Sequence, residues 1–315
     1  MKHLLAFLCV ACCGLLVLAA GEPAARPSIQ SPLTVSPLPW TDKPLANEPG
    51  TFHFAIVADL AGGERQGVFN QAVTTLNLLQ PEFVMSVGDY VQGYVADART
   101  LDAQWKSFQA RLDKLQMRFF YVPGNHDVGG PTPEASRKAW AARFGPTYYH
   151  FVYRNVLFLC LNSELLLDPA ADRAEADRQA AYIKTTLQEN ADVRWTLVFL
   201  HRPLWGPGPA GSWPDVQKML ADRKHTVFAG HVHRYTKSVR GGMSYITLAT
   251  TGGAIGTTTV LKSGQFDQVA WVTMTPAGPV VANVMLDGVV DENVLTEEMI
   301  LKQLRGVPLP KEMMP

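Results

Sequence analysis

Cysteine is nearly missing from the body of this chain. Of its four cysteines, Cys9, Cys12 and Cys13 fall within the first 20 residues and only Cys160 lies beyond them. A single thiol cannot close an internal disulfide, so the fold must rest on its apolar core. Cys160, inside the apolar run Val156–Leu161, is expected to be buried in that core. Net charge is missing too: 28 Lys and Arg balance 28 Asp and Glu. There is no global basic field and no nucleic-acid signature. A GxSxG elbow, a glycine-rich P-loop and internal repeats are all absent, which removes three common routes to hydrolase, nucleotide-binding and scaffold function.

One long apolar run is present, Leu4–Ala20, after the short positive start Lys2-His3 and before the small residues Ala19, Ala20 and Gly21. That layout is a secretory signal with a cleavage site near residue 21. A retained anchor is the other reading, because 17 apolar residues sit at the lower limit for a membrane span. Cleavage would leave no stable membrane span and would place the protein in the periplasm or outside the cell. Residues 22–50 carry seven prolines and read as a linker or extended arm. A domain is expected over 51–290, followed by a C-terminal helix and tail over 291–315. Nothing in the sequence sets the oligomeric state.

Within the domain, apolar strand-like runs alternate with helical periods, which argues for an α/β architecture. Helices are expected at Val68–Leu79, Leu101–Leu115, Pro133–Phe144 and Asp172–Glu189. Five strand-like runs each end in a residue that can bind a metal: Phe54–Ala58 before Asp59, Phe83–Val87 before Gly88-Asp89, Arg118–Val122 before Gly124-Asn125-His126-Asp127, Trp195–Leu200 before His201, and Thr226–Ala229 before Gly230-His231-Val232-His233. Ligands gather at the carboxyl ends of strands in such sheets. Asn, Asp and neutral His offer oxygen and nitrogen to divalent first-row metals. In an extended segment the two HxH histidines would share a face. His53, His150 and His225 lie elsewhere and read as structural, His225 in a charged turn.

These five blocks resemble those of the calcineurin-like metallophosphoesterases, over about residues 51–235. The resemblance implies two facing mixed β-sheets flanked by helices, a four-layer sandwich. It implies two divalent metal ions (Mn, Fe, Zn or Mg) and a phosphoester substrate. Asp89 would bridge the ions, Asp59 and His233 would complete one, and Asn125, His201 and His231 the other. His126 would be the acid that protonates the leaving oxygen, oriented by Asp127. A histidine suits that role because imidazole titrates near neutral pH. Two cations can clamp the attacking and leaving oxygens of a phosphoryl group. One block departs: where the family usually has Asp-x-His, this chain has Asp59-Leu60-Ala61. Glu64, Gln92 and Tyr94 are the neighbours that could fill the gap. Ala61 also keeps open a second reading, a non-catalytic or weakly active binding protein on the same scaffold.

Three further segments allow two readings each. Arg65 could reach a substrate phosphate or stand in solvent. Thr250-Thr251-Gly252-Gly253 could approach a ligand or form a plain turn. Leu204–Trp213 could wall the cleft or form a rigid surface loop.

Overall fold

In the computed structural model, residues 45, 48–131, 133–206, 208–256 and 264–288 are described. The signal segment, nearly all of the proline-rich arm and the C-terminal helix expected at Leu295–Leu304 lie outside them. Among the described residues no helix is long and apolar enough to cross a membrane.

Two sheets are built around central apolar strands that bury both faces. The first places β1 (Phe52–Val57) at its centre, with β2 (Val84–Ser86) and β3 (Phe119–Phe120) parallel on one side. On the other side β10 (Gln268–Thr275) and β11 (Gly278–Met285) run antiparallel. The second sheet has a parallel centre of β5 (Val156–Cys160), β6 (Trp195–Phe199), β7 (His225–Ala229) and β9 (Met243–Thr247). Antiparallel edges β4 (Tyr149–Tyr153) and β8 (Thr236–Arg240) complete it.

The period-2 alternation of each strand sorts its side chains into separate layers. Phe52, Phe54 and Ile56 of β1 meet Phe158, Phe199 and Phe228 of the second sheet in the core between the sheets. Ala55 and Val57 point the other way, under α1 (Val68–Leu79) and α2 (Ala98–Leu112). Leu157, Val198 and Val227 of the second sheet face α6 (Arg173–Glu189) and α7 (Trp213–Leu220). Three apolar layers between four structural layers give the expected sandwich. Each fully buried Phe contributes roughly 1.5–3 kcal/mol by transfer from water, so the inter-sheet stack of phenylalanines anchors the two sheets to each other. Cys160 is free and fully buried in that stack, and burial pushes its thiol up to about 12.

The helices expected at Val68–Leu79 and Pro133–Phe144 (α4) have the observed bounds. α2 starts three residues before expectation, because the Asp97 carboxylate accepts from the Arg99 and Thr100 N–H groups and caps it there. Two short helices, α3 (Asn125–Val128) and α5 (Ser163–Leu167), follow strand ends.

His225 is not in a charged turn. It opens β7, buried, with Nδ1 bonded to the Arg223 carbonyl at 2.8 Å and Nε2 bonded to the Tyr245 hydroxyl at 3.0 Å. Leu204–Trp213 does not wall a cleft with its apolar side chains: Leu204, Trp205 and Trp213 are buried in the layer beneath α7.

Candidate metal centre

All six expected ligands converge. Asp59 follows β1, Asp89 follows β2 and Asn125 follows β3, while His201 follows β6 and both His231 and His233 follow β7. Within each sheet those strands are parallel, so their carboxyl ends share an edge. The turns that deliver the ligands are tight. Asp89, His231 and His233 have φ of 64°, 72° and 50°, a region that costs a side-chain-bearing residue about 1 kcal/mol or more and gathers at functional sites. Hence the HxH pair is no extended segment with both rings on one face. His231 turns to His201, and His233 turns to Asp59.

Glycine makes room for both carboxylates. A Cβ on Gly124 would lie 2.1 Å from Asp89 Oδ1, and one on Gly230 would lie 2.2 Å from Asp59 Oδ2. Any side chain at either position would displace the carboxylate.

Four potential ligand atoms meet at one point. His201 Nε2 is 2.9 Å from Asn125 Oδ1, 3.2 Å from His231 Nδ1 and 3.2 Å from Asp89 Oδ2. Asp89, His201 and His231 offer ligand atoms that all lie within 4.8 Å of one another. Beside them, His233 Nε2 is 3.5 Å from Asp59 Oδ1. Asp59 Oδ2 is buried with no hydrogen-bond partner, an arrangement that is costly unless a cation completes it. These residues fit a divalent metal.

Electrostatics follow from the crowding. Burial opposes charge on His201, but the Asp89 carboxylate outweighs it and pushes the imidazole up to about 10. Burial also opposes charge on Asp89, yet His201 and His126 hold that carboxyl below its ordinary value. His231 is pushed down to about 3 by burial, by His201 and by Arg202. On His233 burial works downward, and the Asp59 carboxylate raises the ring above its ordinary value.

The expected partnership of His126 and Asp127 is not formed. Asp127 Oδ2 accepts from the Asp89 and Gly124 N–H groups at 2.7 and 2.8 Å, and Oδ1 accepts from the Tyr90 N–H at 2.9 Å. Asp127 therefore fixes the backbone that carries Asp89. Burial and the Asp89 charge raise its pKa, against the pull of those three N–H groups. His126 is oriented by the Gln92 carbonyl, 2.6 Å from its Nδ1. A Cβ on Gly62 would lie 3.7 Å from His126 Nε2 and 2.9 Å from His233 Cε1, so His126 presents Nε2 beside the Asp59–His233 half of the centre.

None of the three residues considered for the Ala61 gap bonds Asp59. Glu64 pairs with Arg111. The Gln92 amide oxygen accepts weakly from the Gly63 N–H at 3.4 Å. Tyr94 serves the other half, where its hydroxyl accepts from Asn125 Nδ2 at 3.1 Å and so turns Asn125 Oδ1 toward His201. Arg65 is half-buried and forms a fork with Asp267 at 2.8 and 2.5 Å. Thr250–Gly253 is more than a turn. The Thr250 hydroxyl and the Thr251 and Gly253 N–H groups all donate to the Asp59 carbonyl, holding Asp59 in place. Sequence reasoning also missed Arg202 and Glu164. Arg202 donates to His231 Nε2 and to Glu164 Oε1, each at 2.7 Å. The only signal for it was its place directly after His201.

The sequence profile of the calcineurin-like phosphoesterases matches residues 52–235. The chain belongs to that family, whose members use divalent metals. Among curated relatives, the zebrafish (Danio rerio) serine/threonine-protein phosphatase CPPED1 is 27% identical over 206 residues, 59% of this chain and 65% of that protein. The mouse (Mus musculus) protein of the same name is 26% identical over 222 residues, 62% and 69% of the two chains. The match thus spans about two thirds of these relatives' length. A dimetal phosphatase from zebrafish superposes with a TM-score of 0.55 at 16% identity, covering 75% of this chain and 99% of the other. Yellow lupin purple acid phosphatase PPD1 superposes with 0.58 at 16% identity, covering 78% and 54%. At such identities the likeness is one of fold.

Proposed function

We propose that this chain hydrolyses phosphate mono- or diesters at a centre of two divalent cations and that it is exported. The observation that carries the reading is the convergence of Asn125 Oδ1, Asp89 Oδ2 and His231 Nδ1 on His201 Nε2, beside the unpartnered Asp59 Oδ2. A cation satisfies all these lone pairs together. Asn125, His201 and His231 would hold one ion, Asp59 and His233 the other, with Asp89 shared. Such a pair of ions supplies Lewis acidity to the phosphoryl oxygens and acidifies water.

The protein's own groups do the rest. Asp127 and the Thr250–Gly253 loop keep the two carboxylates in register. With Nδ1 engaged by the Gln92 carbonyl, His126 can give a proton to the leaving oxygen only from Nε2. The relatives' name, serine/threonine-protein phosphatase, makes alkyl phosphate monoesters the first substrates to try. Export is supported by the Lys2-His3 start, the Leu4–Ala20 run and the near absence of cysteine after it.

Chelation should abolish turnover of an aryl phosphate mono- or diester, and a divalent transition metal should restore it. Protein that binds no metal under any loading condition would sink the proposal. N-terminal sequencing of the protein from cell fractions tests export, which fails if Met1 is retained on a cytoplasmic species.

A further inference from the structure

The three histidines of the centre differ in what holds their outer nitrogen. His201 Nδ1 donates to the Val87 carbonyl at 2.9 Å, and His233 Nδ1 donates to the Ala254 carbonyl at 2.7 Å. Each carbonyl fixes a proton on Nδ1, so that in the neutral ring Nε2 carries the lone pair a cation requires. His231 is the exception. Its Nδ1 faces the centre, 3.2 Å from His201 Nε2, and its outer Nε2 meets Arg202 Nη1 at 2.7 Å.

A guanidinium only donates. The Arg202–His231 contact is a hydrogen bond only while Nε2 keeps its lone pair. Neutral imidazole has one N–H, so a cation that takes the Nδ1 lone pair leaves the proton on Nε2. There it would face the Arg202 N–H, donor against donor. The Arg202 bond and a cation on His231 Nδ1 therefore exclude each other.

Arg202 is tethered near the centre whether or not that bond exists. Its backbone N–H donates to Ser163 Oγ at 3.1 Å, and its Nε donates to Glu164 Oε1 at 2.7 Å. When Nη1 leaves His231, both terminal nitrogens stay beside the ligands on a partly exposed side chain. A planar cationic fork at that place matches a phosphoryl group.

We propose that Arg202 changes partner: it caps His231 in the metal-free protein and binds phosphoryl oxygens once the centre is loaded. This rests on the phosphoesterase reading of the centre.

Two calorimetric titrations test it on the full protein, Mn²⁺ into metal-stripped protein and then inorganic phosphate into the loaded protein. In Arg202→Gln the amide oxygen can accept from His231 Nε2–H. Metal affinity should rise about tenfold or more while phosphate affinity falls about tenfold or more, the scale of one charge-assisted hydrogen bond. Arg202→Met removes the donor without adding an acceptor, and should give the same phosphate loss with a smaller metal gain. A merely structural role for Arg202 predicts that both affinities fall together, and that result would overturn the proposal. Unchanged phosphate affinity in both variants would overturn it as well. Wild-type protein that takes up no Mn²⁺ would instead overturn the metal centre itself, and this inference with it.

Discussion

His201 Nε2 lies 3.2 Å from Asp89 Oδ2, and the two residues are delivered by different sheets, Asp89 after β2 and His201 after β6. The contact joins the sheets at the edge where all the expected ligands meet. Without a cation the pair holds a proton, since Asp89 overcomes burial and pushes His201 up to about 10. A cation bound through Nε2 must expel that proton. Loading near pH 7.5 should release about one proton from His201, seen as a calorimetric enthalpy that varies with buffer ionisation heat. Metal affinity should rise with pH over the neutral range. The stability of metal-free protein runs the other way. A raised folded pKa contributes fully below the unfolded value of about 6.5, and the contribution is lost as pH rises through about 10. A buffer-independent loading enthalpy would contradict this.

His126 faces the centre with Nε2 and bonds no expected ligand through its ring. His126→Ala should lower turnover by roughly 10²–10⁴-fold, the usual worth of acid–base catalysis, with metal content near wild type. The loss should shrink for esters with weakly basic leaving groups. Loss of metal from this variant would make His126 a ligand and remove its assigned role.

Asp127→Asn should behave in the opposite way. The substitution turns an amide NH₂ toward a backbone N–H that now has an acceptor, at a cost of about 1–3 kcal/mol. The Asp89 turn should loosen, with a lower Tm and reduced metal content measured on the same sample. Wild-type metal content in Asp127→Asn would show that Asp89 keeps its position without this brace.

The two cation positions should be unequal. One would have Asn125, His201 and His231 besides Asp89, and the other, among the described residues, Asp59 and His233, with Ala61 supplying no ligand. Titration should give a tight equivalent and a looser one, with activity following the looser. Gly230→Ala, whose Cβ would lie 2.2 Å from Asp59 Oδ2, should remove the looser equivalent first. Gly124→Ala, whose Cβ would lie 2.1 Å from Asp89 Oδ1, should weaken both. Equal affinities in the wild type would contradict the assignment.

Much of this was legible in the sequence, for local reasons. Strands buried on both faces are continuous apolar runs, and a polar residue that ends such a run marks a sheet edge. That logic located Asp59, Asp89, Asn125, His201, His231 and His233 as a group. The bounds of α1 and α4 were legible because Gln80-Pro81 and Gly145-Pro146 stop those periods. β8 was not, since four of its five residues are exposed and it has no apolar pattern. Tertiary structure alone decided which polar group serves which ligand. Asp127 is next to His126 in sequence but braces Asp89, 38 residues away. Thr250 secures Asp59 from 191 residues away, and Arg202 reaches His231 rather than its neighbour His201. A side-chain hydrogen bond depends on direction and on a partner brought close by packing, and the local sequence pattern encodes neither.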